Sequence, residues 1–291
     1  MIYLVFPTSW HPSQPYLSLP SLKAFLNQNG IHDVVQRDLA IELLNDLCSW
    51  EKTKPLYERI IRELNELSSR PRLTQVESEK FAKLREAEEI VMALKDQIDF
   101  AINSQRSPDF YEIDQYMENL KIMDVWLDNI LAPYYPSQLT VIGSQMRFSP
   151  YSSKEVIDSF SHPEENFFYD LYEKWYLDDI LKEDIDILGI SITSVEQIIS
   201  GLTLAHLVKK NRPEIHITIG GSVFTKLVDR LEKDASTLFD FVDSFIVHEG
   251  ETPLLRLVEH LRGDGDLSKV PNLIYRDEGT VKVNRPFAKE E

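Results

Sequence analysis

The sequence predicts an α/β protein built on a doubly wound parallel sheet, with a large helical insertion between the second and third strands and a β-hairpin near its C-terminus. Two observations carry this. Short apolar runs alternate with helical patterns at both ends of the chain, while a long middle stretch repeats its apolar residues at spacings of three and four. At 291 residues, 43% hydrophobic and 10% aromatic, the chain can bury one large core or two modest ones.

"IYLVFP" (Ile2 to Pro7) reads as a buried strand, and "LPSLKAFLNQNG" as a helix with Pro20 in its first turn and Gly30 as its stop. "HDVVQRDLA" supplies the second strand. So short a strand, helix, strand unit is a right-handed crossover and implies parallel pairing. From Ile41 to Lys182 the pattern changes to amphipathic segments such as "PLYERIIRELNEL", "ESEKFAKLREAEEIVMALKDQIDFAINSQ" and "YMENLKIMDVWLDNILAPYYP". The stretch is too long for a loop and is predicted to be a helical subdomain. Cys48, in "LLNDLCSW", is expected in a buried helix. Trp126, Tyr134, Tyr135, Phe148, Tyr151, Phe167, Phe168, Tyr169, Tyr172, Trp175 and Tyr176 are expected to pack inward.

The strand and helix rhythm returns at Ile185. "IDILGISI" is a strand, "SVEQIISGLTLAHLVKKNRP" a helix ended by proline, and "IHITIGG" a strand apolar enough to be covered on both faces. "FTKLVDRLEKD" is a helix, "FDFVDSFIVHEGE" holds the next strand, and "TPLLRLVEHLRG" is a helix with Thr252 as N-cap and Pro253 at its first position. "NLIYRDEGTVKVNRP" is a hairpin turning at Glu278 and Gly279. The whole is a flavodoxin-like arrangement. Residues 1–40 and 183–271 form a split Rossmann-like domain, 41–182 the insert, and 272–291 a hairpin and linker.

Composition narrows the function. A formal net charge of −17 argues against a nucleic-acid groove, which needs a cationic stripe. No run approaches the roughly 18 consecutive apolar residues of a membrane span, and no signal-peptide pattern opens the chain, so a cytoplasmic location is expected. One cysteine cannot make a disulfide framework or a cysteine-ligated metal cluster. The turn after the first strand, "PTSWHPSQPYLSLP", has no glycine, which removes the dinucleotide fingerprint, and no phosphate-cradling Gly-rich loop with Lys and Ser or Thr is present. His206, His216, His248 and His260 lie on separate elements without ligand spacing, so no metal site is predicted. Asp178 with Asp179, and Glu88 with Glu89, read as solvated helix faces. Ser222 does not stand in a nucleophile elbow.

In an open parallel sheet the ligand lies beyond the C-terminal strand ends, where strand order reverses. Four loops reach that edge: Pro7 to Leu19, with Thr8 and His11; Ser191 to Val195, with Thr193 and Ser194; Gly220 to Thr225, with Gly221 and Ser222; and His248 to Thr252, with Glu249, Gly250 and Glu251. Small and hydroxyl residues at two neighbouring strand ends let a bulky group approach the backbone and bond to it. A plain strand-to-helix turn at Gly220 and Gly221 is the competing reading.

Three segments, "PSLKAFLNQNGIHDVVQRDLA", "DILGISITSVEQIISGLTLAHLVKKNRPEIHITIGGSVFT" and "FIVHEGETPLLRLVEHL", with the closing "VPNLIYRDEGTVKVNRP", resemble the N-terminal cobalamin-binding domain of cobalamin-dependent radical S-adenosylmethionine (SAM) enzymes of the methyltransferase and peptide-maturase type. The resemblance covers the two ends of the chain and leaves the insert unmatched. It implies a corrin ring over the strand ends, a nucleotide tail sunk between the third and fourth strands, Ser191 and Thr193 contacting that tail, Gly220 and Gly221 leaving room for it, and "EGE" (Glu249 to Glu251) as the adjoining loop.

The sequence departs from the family twice. "SWHPSQP" stands where histidine-ligating domains carry Asp-x-His-x-x-Gly, so His11 is read as a loop histidine in preference to a cobalt ligand. His248 replaces the usual first glycine of "GEGE". The [4Fe–4S] cluster and SAM of the family reaction need three cysteines in Cys-x3-Cys-x2-Cys, so the resemblance assigns them to a radical SAM catalytic domain beyond this chain, which is read as its N-terminal portion or a stand-alone module. A peptide or small molecule would be the substrate. The alternative is a cobalamin-free Rossmann-like scaffold whose insert binds a peptide or protein. A response-regulator-like domain is disfavoured because the first strand lacks the acidic pair needed for magnesium.

Overall fold

Strand β1 (Ile2–Phe6), helix α1 (Ser18–Gln28) and strand β2 (Val34–Asp38) form the predicted first crossover in the computed structural model, which describes residues 1–11, 14 and 16–284. Helix α1 stops before Gly30, whose φ of +83° is the left-handed conformation in which glycine ends helices. Asp38 closes β2 and caps α2 (Leu39–Leu47), accepting from the amides of Ala40 and Ile41, so the strand stops short of the predicted "LA".

The insert continues with α3 (Trp50–Ser68), α4 (Gln75–Ser104) and α5 (Ile113–Ile130), which pack along one another. Each buries the stripe its spacing predicts: Leu56, Ile60 and Leu64 on α3, Leu84, Ala87 and Val91 on α4, Met123, Trp126 and Ile130 on α5. Thr74 and Glu77 close a reciprocal capping box at the start of α4. A short antiparallel hairpin, β3 (Gln138–Leu139) with β4 (Ser144–Gln145), follows without any warning in the sequence pattern. Then come α6 (Ser153–Ser159), α7 (Phe167–Trp175) and α8 (Leu177–Leu181).

The sheet resumes with β5 (Ile187–Ser191), α9 (Gln197–Asn211), β6 (His216–Gly220), α10 (Ser222–Lys226), α11 (Val228–Asp234), β7 (Ser244–Ile246), α12 (Glu251–Leu261), β8 (Leu273–Asp277) and β9 (Thr280–Val283). The strand order is β2-β1-β5-β6-β7-β8-β9, parallel through β7 and antiparallel after it. This is a flavodoxin-like sheet extended by a hairpin, with its switch point between β1 and β5. Glu278 and Gly279 turn that hairpin with φ of +46° and +79°, the signs a two-residue type I′ turn requires.

Two local expectations change. "FTKLVDRLEKD" forms two short helices that part at Leu227, and the N-cap of α12 is Gly250. Thr252 and Pro253 lie inside its first turn, where a missing amide proton costs nothing. The predicted linker, 285–291, lies outside the described residues. Among those described, no helix is long and apolar enough to cross a membrane.

Helices α1 and α12 cover one face of the sheet through Ile2, Leu4, Phe6 and Ile187. The other face meets α9 and the insert in one continuous apolar cluster that includes Tyr3, Val5, Leu188, Ile217, Trp126 and Phe168. The insert aromatics expected to pack inward are buried or half-buried except Tyr151, which is 82% exposed, contrary to expectation; Phe100 and Tyr111, earlier in the insert, are exposed as well. Cys48 ends α2 and is fully buried, and burial pushes its thiol far up.

One hydroxyl ties the insert to the sheet. Tyr172, fully buried on α7, lies 2.9 Å from Thr8 Oγ1 and accepts from the Thr8 amide at 3.4 Å. Tyr172→Phe strands both Thr8 groups in a buried place, and the urea midpoint is expected to fall by an amount worth about 1–3 kcal/mol. An unchanged midpoint would show that this contact does not hold the loop after β1.

Candidate functional site

Side chains on a strand alternate between faces, and in β5 and β6 the two faces differ sharply. Toward α9 they present Leu188, Ile190, Ile217 and Ile219, all buried and large. Toward α1 and α12 the same strands present Gly189, Ser191, Thr218 and Gly220, and β7 adds Ser244. Leu4 of β1 pairs with Gly189, Gly189 with Thr218, Thr218 with Ser244, and Ser191 with Gly220, so the small residues are contiguous across three strands.

Two helices cannot close onto a stripe without side-chain volume, because interiors are filled at crystal-like density. The gap is a cleft of about 750 Å³ that runs from the strand ends inward to Leu4, Gly189 and Thr218. That volume suits a small-molecule site. Tyr16, Leu17, Ser18 and Leu22 form one wall, Ile246 and Leu254 the other, and His248, Glu249, Gly250 and Glu251 the rim. Tyr16 is held by stacking on Phe6, with ring centroids 5.5 Å apart, and by the edge of Trp10. The lining is mostly apolar and, among the described residues, includes no lysine or arginine.

Of the residues the sequence pointed to, Ser191, Gly220, Gly221, Ser222, His248, Glu249, Gly250 and Glu251 line the cleft. Ser191 Oγ donates to Ser18 Oγ at 3.0 Å, and Ser222 Oγ to the Thr193 carbonyl at 2.8 Å. His248 sits at φ +62°, a conformation that favours glycine, and donates its amide to Thr225 Oγ1 at 2.8 Å; its side chain is exposed at the rim.

Thr8, His11, Thr193 and Ser194 do not line the cleft. Thr8 is taken by Tyr172. Thr193 and Ser194 serve a clamp built on Gln197, itself fully buried: its Oε1 accepts from the Thr193 amide, the Thr193 hydroxyl and the Ser194 amide, while its Nε2 donates to the Pro7 carbonyl at 2.9 Å. The clamp joins the loops after β1 and β5 across the switch point. Thr193 therefore holds the loop and stands outside the cleft lining.

Gly221 is small for the reason the competing reading gave, the turn from strand to helix. At φ +112°, a β-carbon there would lie 2.0 Å from the Ile192 carbonyl oxygen, so the backbone of the β5 loop fixes this glycine. Gly220 is the opposite case. Its φ is ordinary, and an added β-carbon would make normal contact, 3.5 Å from the Ile246 carbonyl, at the edge of the cleft.

Residues the strand-end reading passed over complete the floor: Gly189, Thr218 and, behind Thr218, Ser244. Ser244 Oγ donates to Thr218 Oγ1 at 3.0 Å and lies 2.9 Å from His216 Nε2. Burial pushes the His216 imidazole down to about 4, against the nearby Asp243 and with the help of Lys209 and His260, so the ring is neutral at pH 7.

Compared with protein-family models, with curated proteins and with solved structures, the chain matches none.

The two glycines should separate cleanly by stability. Gly221→Ala is expected to cost about 3 kcal/mol or more, and Gly220→Ala less than about 1 kcal/mol, in chemical denaturation. Equal losses would contradict this division of roles between a backbone-fixed glycine and one that borders open space.

Proposed function

We propose that this chain is a corrinoid-binding module that takes the nucleotide tail of cobalamin into the cleft between α1 and α12 and holds the corrin ring over the C-terminal strand ends. The observation that carries the reading is the contiguous stripe Gly189, Ser191, Thr218 and Gly220, an opening over β5 and β6, beside the switch point, that a flat bicyclic base can enter. The donor set fits the group. An apolar floor and walls suit the benzimidazole, and hydroxyls of Ser18, Ser191 and Ser222 toward the mouth suit its ribose and single phosphodiester. A nucleoside triphosphate fits poorly, since among the described residues no lysine or arginine lines the cleft and Glu249 and Glu251 stand at its rim.

Bound cobalt would supply methyl-group transfer or related radical chemistry. Ser191 and Gly220 would hold the tail, Tyr16 and Leu17 would shield it from water on one side, and Glu249 and Glu251 would border the ring. The reaction's [4Fe–4S] cluster and SAM would belong to a radical SAM catalytic domain, because the one cysteine here lies in the apolar core. A cytoplasmic location and a peptide or small-molecule substrate belong to the same reading. The scaffold alternative rests on the insert, whose second-half aromatics other than Tyr151 are packed against the core, while Phe100 and Tyr111 are exposed.

Purified protein mixed with hydroxocobalamin should retain the corrinoid absorbance through gel filtration. Gly220→Leu, which fills the cleft without backbone strain, should weaken binding by about 100-fold while leaving the urea midpoint near that of the wild type. Loss of retention in the wild type, or normal retention in Gly220→Leu, would refute the placement.

A further inference from the structure

The β3–β4 hairpin carries the insert to the C-terminal edge of the sheet. Ser9 Oγ, in the loop after β1, donates to Ser144 Oγ at 3.2 Å, and a β-carbon on Gly143 would lie 3.6 Å from Glu196 Cγ, in the loop after β5. The hairpin therefore touches both loops that flank the switch point.

Its tip is firmly held. The Thr140 amide donates to the Gly143 carbonyl at 2.8 Å across the turn, and the Val141 amide donates to Asp124 Oδ1 of α5 at 2.7 Å. Val141 is 5% exposed and belongs to the apolar cluster on the α9 side of the sheet, whereas Ile142, next in the chain, is 68% exposed. A single exposed isoleucine is ordinary, but Ile142 has a counterpart at this edge. Leu17, on the cleft wall just ahead of α1, is 70% exposed.

The two stand over opposite faces of the sheet, Leu17 on the α1 side and Ile142 on the α9 side, so the ends of the paired strands β1 and β5 separate them. The loop after β1 links the two sides. Ser9 is bonded to the hairpin, and Trp10 packs its edge on Tyr16 at the cleft, with ring centroids 5.6 Å apart. Apolar surface left in water on both sides of the strand ends suits a broad, apolar-faced ligand that lies across them.

We propose that the hairpin is a wall of the corrin seat: the ring over the ends of β1 and β5 rests one edge on Ile142, while the tail enters the cleft past Leu17. The proposal rests on the corrinoid reading above and gives the insert a part in it. The sheet with α1 and α12 forms the slot for the tail, and the insert borders the ring.

The test is alkylation by N-ethylmaleimide of Ile142→Cys and Val76→Cys in the whole chain, with and without saturating cyanocobalamin, whose cobalt is already capped against thiols. Native Cys48 is fully buried and its thiol is pushed far up, so the rate reports the introduced thiol. Bound corrinoid should slow alkylation of Ile142→Cys about tenfold and leave that of Val76→Cys, an exposed site on α4, unchanged. In absorbance titrations Ile142→Asp should bind about tenfold more weakly than the wild type, the worth of partly burying one branched side chain, at an unchanged urea midpoint. If Ile142→Asp does not fold, Ile142→Ser serves in its place with the same sign. Equal alkylation rates with and without bound corrinoid, or wild-type affinity in Ile142→Asp, would overturn the role of the hairpin while leaving the corrinoid reading intact. A wild type that retains no corrinoid would overturn that reading, and this wall with it.

Discussion

A sheet in the middle of a doubly wound fold must be covered on both faces, and the structure of this chain depends on β5 and β6 meeting that requirement on one face only. Toward α9 the strands offer Leu188, Ile190, Ile217 and Ile219, and the interior closes. Toward α1 and α12 they offer Gly189, Ser191, Thr218 and Gly220, and it does not. Forgoing branched side chains at these positions gives up the roughly 1.5–3 kcal/mol that each would contribute when buried. Such a concession in the centre of a core makes physical sense where something else fills the space.

Around that gap the structure is rigid by construction. The Gln197 clamp draws the loops after β1 and β5 together, Tyr172 fixes Thr8 from the far side, and the contact of Gly221 with Ile192 locks the turn out of β6. None of these groups has to touch a ligand to matter for binding. They hold the strand ends apart and aligned, so little ordering remains to be done when an occupant arrives. The insert takes part in this through α7, its core being continuous with the face of the sheet opposite the cleft.

Much of this was legible in the sequence. Apolar runs, helix stops and the Glu278–Gly279 turn located the strands and helices, because each depends on neighbours close in sequence. Ser191 and Gly220 were visible as small residues at strand ends. Gly189 and Thr218 were not, although each lies two positions before a residue that was. Inside "DILGISI" and "IHITIGG" a small residue has meaning only once it is known which face each position takes and that both fall on the same face of adjacent strands. The roles of Thr193 and Gly221 in the fold are hidden from the sequence for a related reason. One answers to Gln197 and the other to the Ile192 carbonyl, contacts that no local pattern announces. The β3–β4 hairpin was missed because two residues per strand leave no periodicity to read.

The central claim is that the stripe between α1 and α12 is where a corrinoid tail enters, and hydrogen exchange of the whole chain with and without hydroxocobalamin addresses it most directly. The account predicts added protection at the start of α1, at the ends of β5 and β6, and through the turns at 220–225 and 248–251, with α3 to α5 unaffected. Protection confined to the insert, or none at the strand ends under saturating hydroxocobalamin, would contradict it.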